Sequence, residues 1–293
     1  MLTTKLDNVL NSSSTRLPGW LKRPIAYSGK HDLIHEQIQK NGLHTVCREA
    51  KCPNRGECFS RGTATFLILG ENCTRNCSFC SVKHETPMPL NSNEPQLLVD
   101  AVKKMDLKHV VITSVTRDDL SDGGASVFSQ IVHLIRAQLP SVTVELLIPD
   151  LLGNKDALFT IFDSGPDILN HNIETVPSLY TRIRPQAIYK RSLELLRLAA
   201  SKGLVTKSGI MVGFGEKKEE VLGAMNDLRE HDCSILTIGQ YLQPTDRQIP
   251  VKEFITPATF DYYKSEGERM GFKAVYSGAF VRSSYRAEEY FYE

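Results

Sequence analysis

Six of the seven cysteines in this 293-residue chain fall between residues 47 and 80, in two triplets. The second triplet, Cys73-Thr-Arg-Asn-Cys77-Ser-Phe-Cys80, has the spacing C-x3-C-x2-C. Thiolates are soft ligands that suit iron–sulfur clusters. Three of them on a four-iron cube leave one iron without a protein ligand, and an open position is what a catalytic metal centre requires. Electron-transfer ferredoxins use four cysteines per cluster and leave no such opening. The competing reading is a structural zinc loop, which needs a fourth ligand nearby; His84 is the residue that could serve.

The first triplet, Cys47-Arg-Glu-Ala-Lys-Cys52-Pro-Asn-Arg-Gly-Glu-Cys58, is C-x4-C-x5-C and matches neither common ferredoxin spacing. Clustered cysteines in an intracellular enzyme more often bind metal than form disulfides, and an odd count fits a disulfide framework poorly. Cys233 stands alone and reads as a small buried hydrophobe.

Composition sets the outer limits. Lys+Arg (35) and Asp+Glu (34) nearly cancel, so no basic field points to nucleic acid or to a membrane surface. No run approaches ~18 apolar residues, so a spanning helix is not expected. The polar N-terminus, with Asn11 and Ser12 to Ser14, has no apolar core of a signal peptide. The expected compartment is cytoplasmic, with an organelle matrix left open.

The elements that must position the cysteines begin near Thr65. Short apolar runs at Thr65–Gly70, His109–Val115, Thr143–Pro149, Ile168–Glu174, Ser208–Phe214 and Leu236–Gln240 alternate with helical patterns. Leu98, Ala101, Val102 and Met105 follow the i, i+3, i+4, i+7 rule, with Pro95 at a helix start. Phe128, Ile131, Val132 and Ile135 repeat it, as do Val221, Met225 and Leu228. A further helix is expected near His31–Lys40. Six strand–helix units predict a parallel α/β fold. No glycine-rich phosphate turn follows the first strand; cysteines do. Polar clusters follow almost every strand, as at the mouth of a (β/α) barrel, and six units predict a partial (β/α)6 TIM-type barrel with N- and C-terminal extensions.

The two triplets in this order, with CPNRGEC, ATFLILG, NHNIETV, RPQA, GQYLQP and the C-terminal RSSY, resemble the lipoyl synthase family of the radical S-adenosylmethionine superfamily. The likeness covers nearly the whole chain except residues 1–20; one departure is Phe59, where many members have Trp. It implies that Cys73, Cys77 and Cys80 hold a [4Fe–4S] cluster whose open iron chelates S-adenosylmethionine. It implies a second, auxiliary [4Fe–4S] cluster on Cys47, Cys52 and Cys58, with Ser283 of Arg282-Ser283-Ser284-Tyr285 as fourth ligand. Taken alone, a serine pair near a C-terminus is a capping or surface feature. The implied division is residues 1–60 as the extension carrying the auxiliary cysteines, 61–271 as the barrel and 272–293 as a tail closing over that cluster.

The implied reaction is insertion of two sulfur atoms at carbons 6 and 8 of an octanoyl group on a lysine, with the auxiliary cluster as donor. Implied partners are octanoylated lipoyl domains of 2-oxoacid dehydrogenase complexes or the glycine-cleavage H protein, a reductant such as flavodoxin or ferredoxin, and iron–sulfur assembly proteins. A different two-cluster radical enzyme and a non-catalytic iron–sulfur carrier are the other readings.

Expected cofactor contacts are Phe79 near the adenine, Thr113 at the second strand's end, Asn172, Glu174 and Gly213. Period two puts Asn170, Asn172 and Glu174 on one strand face, as a cofactor site or an internal polar layer, with His171 structural on the other. Gly213 and Gly215 either admit the adenine side of the cofactor or form a plain strand-to-helix turn. Arg182 or Arg184 pairs with a cofactor carboxylate or with surface charge. Asp118, Asp119 and Asp122 read mainly as caps. Trp20, Lys22 and Arg23 form a docking edge or, for the tryptophan, packing.

Overall fold

The computed structural model describes residues 17–22, 29–60 and 63–284. The expectations attached to Asn11 to Ser14, Arg23 and Tyr285 lie outside those residues. Among the described residues eight strands form one sheet: β1 (His44–Thr45), β2 (Thr65–Ile68), β3 (His109–Ser114), β4 (Thr143–Leu147), β5 (Ile168–Asn170), β6 (Val205–Val212), β7 (Ile235–Gln240) and β8 (Ala274–Gly278). Their spatial order follows the chain. β1 pairs antiparallel with β2, and every later pair is parallel.

Helices α1 (Gly29–Lys40), α2 (Val46–Glu49) and α3 (Arg55–Ser60) precede β2. The crossovers then use α4 (Glu94–Lys104), α5 (Ala125–Gln138), α6 (Lys155–Phe162), α7 (Tyr180–Ile183) with α8 (Tyr189–Ser201), α9 (Lys218–Glu230) and α10 (Pro257–Arg269). A strand order that advances without reversal is that of a barrel, not of a doubly wound sheet. The six expected units are β2 to β7. β1 is too short to carry a period. β8 is only partly covered, so it shows no continuous apolar run.

The period-two rule sorts the strands' side chains. Phe66, Ile68, Val110, Ile112, Val144 and Leu146 join the core shared with α4, α5 and α6. The alternate residues Thr65, Leu67, Thr113 and Leu147 face inward and line a cavity.

Beneath that cavity lies a charged layer that the sequence pattern concealed. Lys207 and Glu145 are both fully buried, and Lys207 Nζ lies 3.0 Å from each carboxylate oxygen. His109 Nε2 sits 3.6 Å from the same carboxylate, and Asn170 Nδ2 donates to it at 2.7 Å. Burial alone would push the Glu145 carboxyl up; Lys207 and His109 overcome this and hold it down at about 2. β6 therefore starts at Val205 rather than Ser208: Lys207 reads as the end of an apolar run, yet it is an interior residue with a counter-ion.

Removing one partner of a buried pair strands the other charge, at a cost of about 3–5 kcal/mol, whereas removing both is often neutral. Lys207→Met should lower the urea midpoint by that equivalent, and adding Glu145→Gln should recover most of it. Equal midpoints for Lys207→Met and wild type would mean that the layer is not held by this pair.

Candidate functional site

The Cys73–Cys80 loop leaves the carboxyl end of β2 and is pinned from several sides. Cys73 N donates to Lys83 O at 2.8 Å, and Ser78 N to Ile183 O at 2.9 Å. Gln248 Nε2 donates to Cys80 O at 3.1 Å. At its centre Arg75 is buried and donates to Asp118 at 2.7 and 3.0 Å and to Asp150 at 2.5 Å. Arg191 also reaches Asp150, at 3.2 Å. Cys73 Sγ accepts backbone N–H bonds from Arg75 at 3.4 Å and Thr116 at 3.3 Å.

Cys80 feels the charge of the other two thiols. Burial pushes Cys80 up to about 12, with Cys77 and Cys73 adding to the rise. Burial also raises Cys77, and Arg184 pulls it back. Thiolates there require a cation. Among the described residues, no three His, Cys, Asp or Glu side chains converge on a single ion. His84 Nδ1 lies 3.1 Å from the Cys73 carbonyl. A four-iron cube takes each thiolate on a separate iron and needs no common point.

Cys47 lies in α2, Cys58 in α3 and Cys52 in the turn between them. Burial, reinforced by Cys52, pushes Cys47 up to about 12. Ser81 Oγ donates to Glu49 O at 2.9 Å and so ties the second triplet's loop to α2. All six cysteines are free thiols and line one cavity of about 500 Å³ at the mouth of the sheet. Ser283 lines it too, after a separation of 225 residues from Cys58. Its hydroxyl donates to Asn172 Oδ1 at 2.8 Å and accepts from Asn170 Nδ2 at 2.8 Å.

The other expected residues divide. Phe79, Thr113, Asn172 and Glu174 line the cavity. Asn172 Nδ2 donates to Glu174 Oε1 at 3.2 Å. β5 ends at Asn170, so the single face expected through Glu174 is not one strand: Glu174 has φ 67° and rejoins the sheet beside Ile210. Thr113 Oγ1 donates to Leu147 O at 2.7 Å, which leaves its oxygen as an acceptor. Phe79 packs with Phe214 and Tyr241, whose rings stack at 4.4 Å between centroids.

Gly213 does not belong to the lining. Its N–H donates to Glu216, its carbonyl accepts from Lys252, and a Cβ there would meet Glu253 O at 2.6 Å. Its geometry is that of the strand-to-helix turn. His171 also lines the cavity; it bonds Ile148 O at 2.8 Å and Ser192 Oγ at 2.9 Å, and burial takes it down to about 4, so it is neutral. Asp122 caps α5 through Gly124 N and Ser126 N, whereas Asp118 and Asp119 pair with Arg75 and Arg117. Cys233 is fully buried, and Trp20 and Lys22 are exposed.

The sequence left Arg182 and Arg184 equivalent; the structure separates them. Arg182 is exposed, while Arg184 is 8% exposed, lines the cavity, and donates to Asn172 O and Tyr180 Oη at 2.8 Å. Tyr241 is a second lining residue that spacing gave no reason to choose.

A family model described as the radical SAM superfamily matches residues 67–228. The lipoyl synthase of Rubrobacter xylanophilus is 53% identical over 93% of this chain and 85% of that protein. That of Caldanaerobacter subterraneus is 50% identical over 94% of this chain and 97% of that protein. Among solved structures, Streptococcus suis SuiB bound to S-adenosylmethionine superposes with a TM-score of 0.60 at 9% identity, over 84% of this chain and 61% of that one. Methylornithine synthase gives 0.53 at 14% identity, over 88% and 85%. Those two likenesses speak to the fold alone. The chain belongs to the lipoyl synthase family, within the radical SAM superfamily, and is an enzyme. That membership implies a [4Fe–4S] cluster and S-adenosylmethionine. The thiol set of the second triplet, which needs a cation in order to ionise, fits such a cluster. No helix among the described residues is long and apolar enough to cross a membrane.

Arg184→Met should weaken S-adenosylmethionine binding roughly tenfold to a hundredfold, the worth of a charge-assisted bond. Arg182→Met should leave it unchanged. Burial raises the Glu174 carboxyl, against the pull of Arg184 and Asn172. Affinity should therefore fall as pH drops through that raised value, and Glu174→Gln should flatten the dependence. Titration calorimetry on protein of full iron content checks both; equal losses for the two arginines would contradict the assignment.

Proposed function

We propose that the chain catalyses radical insertion of two sulfur atoms, at carbons 6 and 8, into an octanoyl group amide-linked to a lysine of a lipoyl carrier domain. The supporting observation is that both cysteine triplets and Ser283 meet in one cavity of a chain of this family. Cys73, Cys77 and Cys80 would hold the cluster with the open iron. Cys47, Cys52, Cys58 and Ser283 would hold the auxiliary one. When bound, these groups supply the reductive cleavage of S-adenosylmethionine and the sulfur that enters the substrate.

The protein's part is binding, orientation and exclusion of water. Arg184, held by the Asn172 carbonyl and Tyr180, presents a fixed cation to the cofactor's carboxylate. Glu174, steadied by Asn172, accepts from the ribose hydroxyls, and Thr113 offers a further acceptor. Phe79 and Tyr241 form an apolar wall for the adenine. Ser283 would provide a harder oxygen ligand, a poorer match for iron than thiolate, and would be the most readily released of the four, which suits a cluster that supplies sulfide. Carrier partners are octanoylated domains of 2-oxoacid dehydrogenase complexes or the glycine-cleavage H protein. Flavodoxin or ferredoxin supplies electrons, and iron–sulfur assembly proteins rebuild the spent cluster.

The test is division of labour between the triplets. Joint replacement of Cys47, Cys52 and Cys58 by Ala should remove about half the iron, because the chain has two triplets. 5′-Deoxyadenosine should still form, at a reduced level, and sulfur insertion should stop. Replacing Cys73, Cys77 and Cys80 should abolish 5′-deoxyadenosine formation altogether. Lipoyl product from the first variant, or wild-type 5′-deoxyadenosine from the second, would refute the reading. In the wild type, an octanoylated domain should stimulate 5′-deoxyadenosine formation; no stimulation would point to a different substrate.

A further inference from the structure

Ser283 must be brought to cysteines that lie more than two hundred residues earlier in the chain, and the described segment that carries it includes no helix or strand. Two features outside the cysteines fix that segment. Asn54, in the turn between Cys52 and Cys58, is 2% exposed, and its Nδ2 donates to the Phe280 carbonyl at 2.7 Å. Asn54 is itself rigid within the turn, since its carbonyl accepts from Cys58 N at 2.9 Å. One bond thus ties the first triplet's own turn to the tail. Ser283 lies three positions after Phe280, so the serine stays within about 10 Å of that anchor even with the chain extended.

The second feature is Gly239, near the carboxyl end of β7. A Cβ on Gly239 would lie 2.1 Å from the Val281 carbonyl oxygen and 3.1 Å from its carbon. Both are backbone atoms, so no rotamer change relieves the overlap. The tail lies directly on a bare patch of strand. Between Phe280 held by Asn54 and Ser283 held by Asn170 and Asn172, Val281 crosses the mouth with no room for a side chain beneath it.

We propose that Asn54 is a positioning residue for the auxiliary cluster: it clamps the C-terminal tail over Gly239 so that Ser283 is delivered to the fourth iron, and it keeps the tail in place whenever the serine lets go. This rests on the reading of Ser283 as a ligand. A weak oxygen ligand depends on being held near its metal more than a thiolate does, and supporting residues of this kind change metal affinity or activity by about 10- to 100-fold. Asn54→Asp keeps the shape but replaces the donor with an oxygen facing a carbonyl.

The experiment uses full-length enzyme with both clusters reconstituted, in four forms: wild type, Ser283→Ala, Asn54→Asp and Gly239→Ala. Iron per chain and 5′-deoxyadenosine formation, which reports the second triplet and the fold, are measured on each. The electron paramagnetic resonance signal of three-iron clusters after mild oxidation is measured on the same four forms with Cys73, Cys77 and Cys80 also replaced by Ala, because the cluster with the open iron gives that signal in every form. The expected result is that Asn54→Asp and Gly239→Ala reproduce the three-iron signal of Ser283→Ala, with sulfur insertion down about tenfold or more and 5′-deoxyadenosine formation retained. If Ser283→Ala gives the signal and Asn54→Asp does not, the clamp is overturned and the serine reading stands. If Ser283→Ala leaves the cluster intact, both fall. If Asn54→Asp also loses 5′-deoxyadenosine formation, Asn54 serves the whole fold and the specific role is overturned.

Discussion

Cys47, Cys77 and Cys80 sit where burial drives a thiol to be neutral, whereas holding a cluster requires thiolates. Cys47 and Cys80 are each pushed up to about 12, and within each triplet neighbouring sulfurs add to the rise. Only a bound cation reverses this, because a coordinating thiol is deprotonated outright. The surroundings are arranged to hold the sulfurs in place until that happens. Backbone N–H groups point at Cys73 Sγ, Arg75 is locked between two aspartates at the centre of its loop, and Arg184 offsets part of the penalty on Cys77.

The parallel sheet gives those sulfurs a common address. β2 to β8 run the same way, so their carboxyl ends open on one mouth. β1 brings the first triplet to the same place by pairing with β2 and leading directly into α2. At the opposite level, the Lys207–Glu145–Asn170 layer closes the interior and also reaches upward, since Asn170 bonds both Glu145 and Ser283. Glu145 on the floor of the barrel and Ser283 at its mouth are thus joined through one asparagine.

What could be read from the sequence follows from how each signal is encoded. The triplets were legible because ligand type and spacing are local. The six central strands were legible because apolar runs bounded by polar loops are local too. Lys207, Glu145 and His109 were not: a charge in an apolar run reads as a boundary, and its partner lies on another strand. Arg182 and Arg184 were indistinguishable two residues apart, and only burial separated them. The polar face through Glu174 was read by a two-residue period that stops at Asn170, where the backbone leaves the strand. Ser283 was found by resemblance alone. Asn54 sat inside a recognised motif with no hint of a partner 226 residues away.

The account turns on sulfide bound in the enzyme's clusters, not sulfide in solution, as the origin of the inserted sulfur. Enzyme reconstituted with heavy-isotope sulfide, freed of excess, and allowed a single turnover on an octanoylated lipoyl domain gives a product whose mass reports that origin. The account predicts lipoyl groups carrying two heavy sulfur atoms in wild-type enzyme, even with ordinary sulfide present in solution. Lipoyl groups carrying ordinary sulfur under those conditions would contradict it.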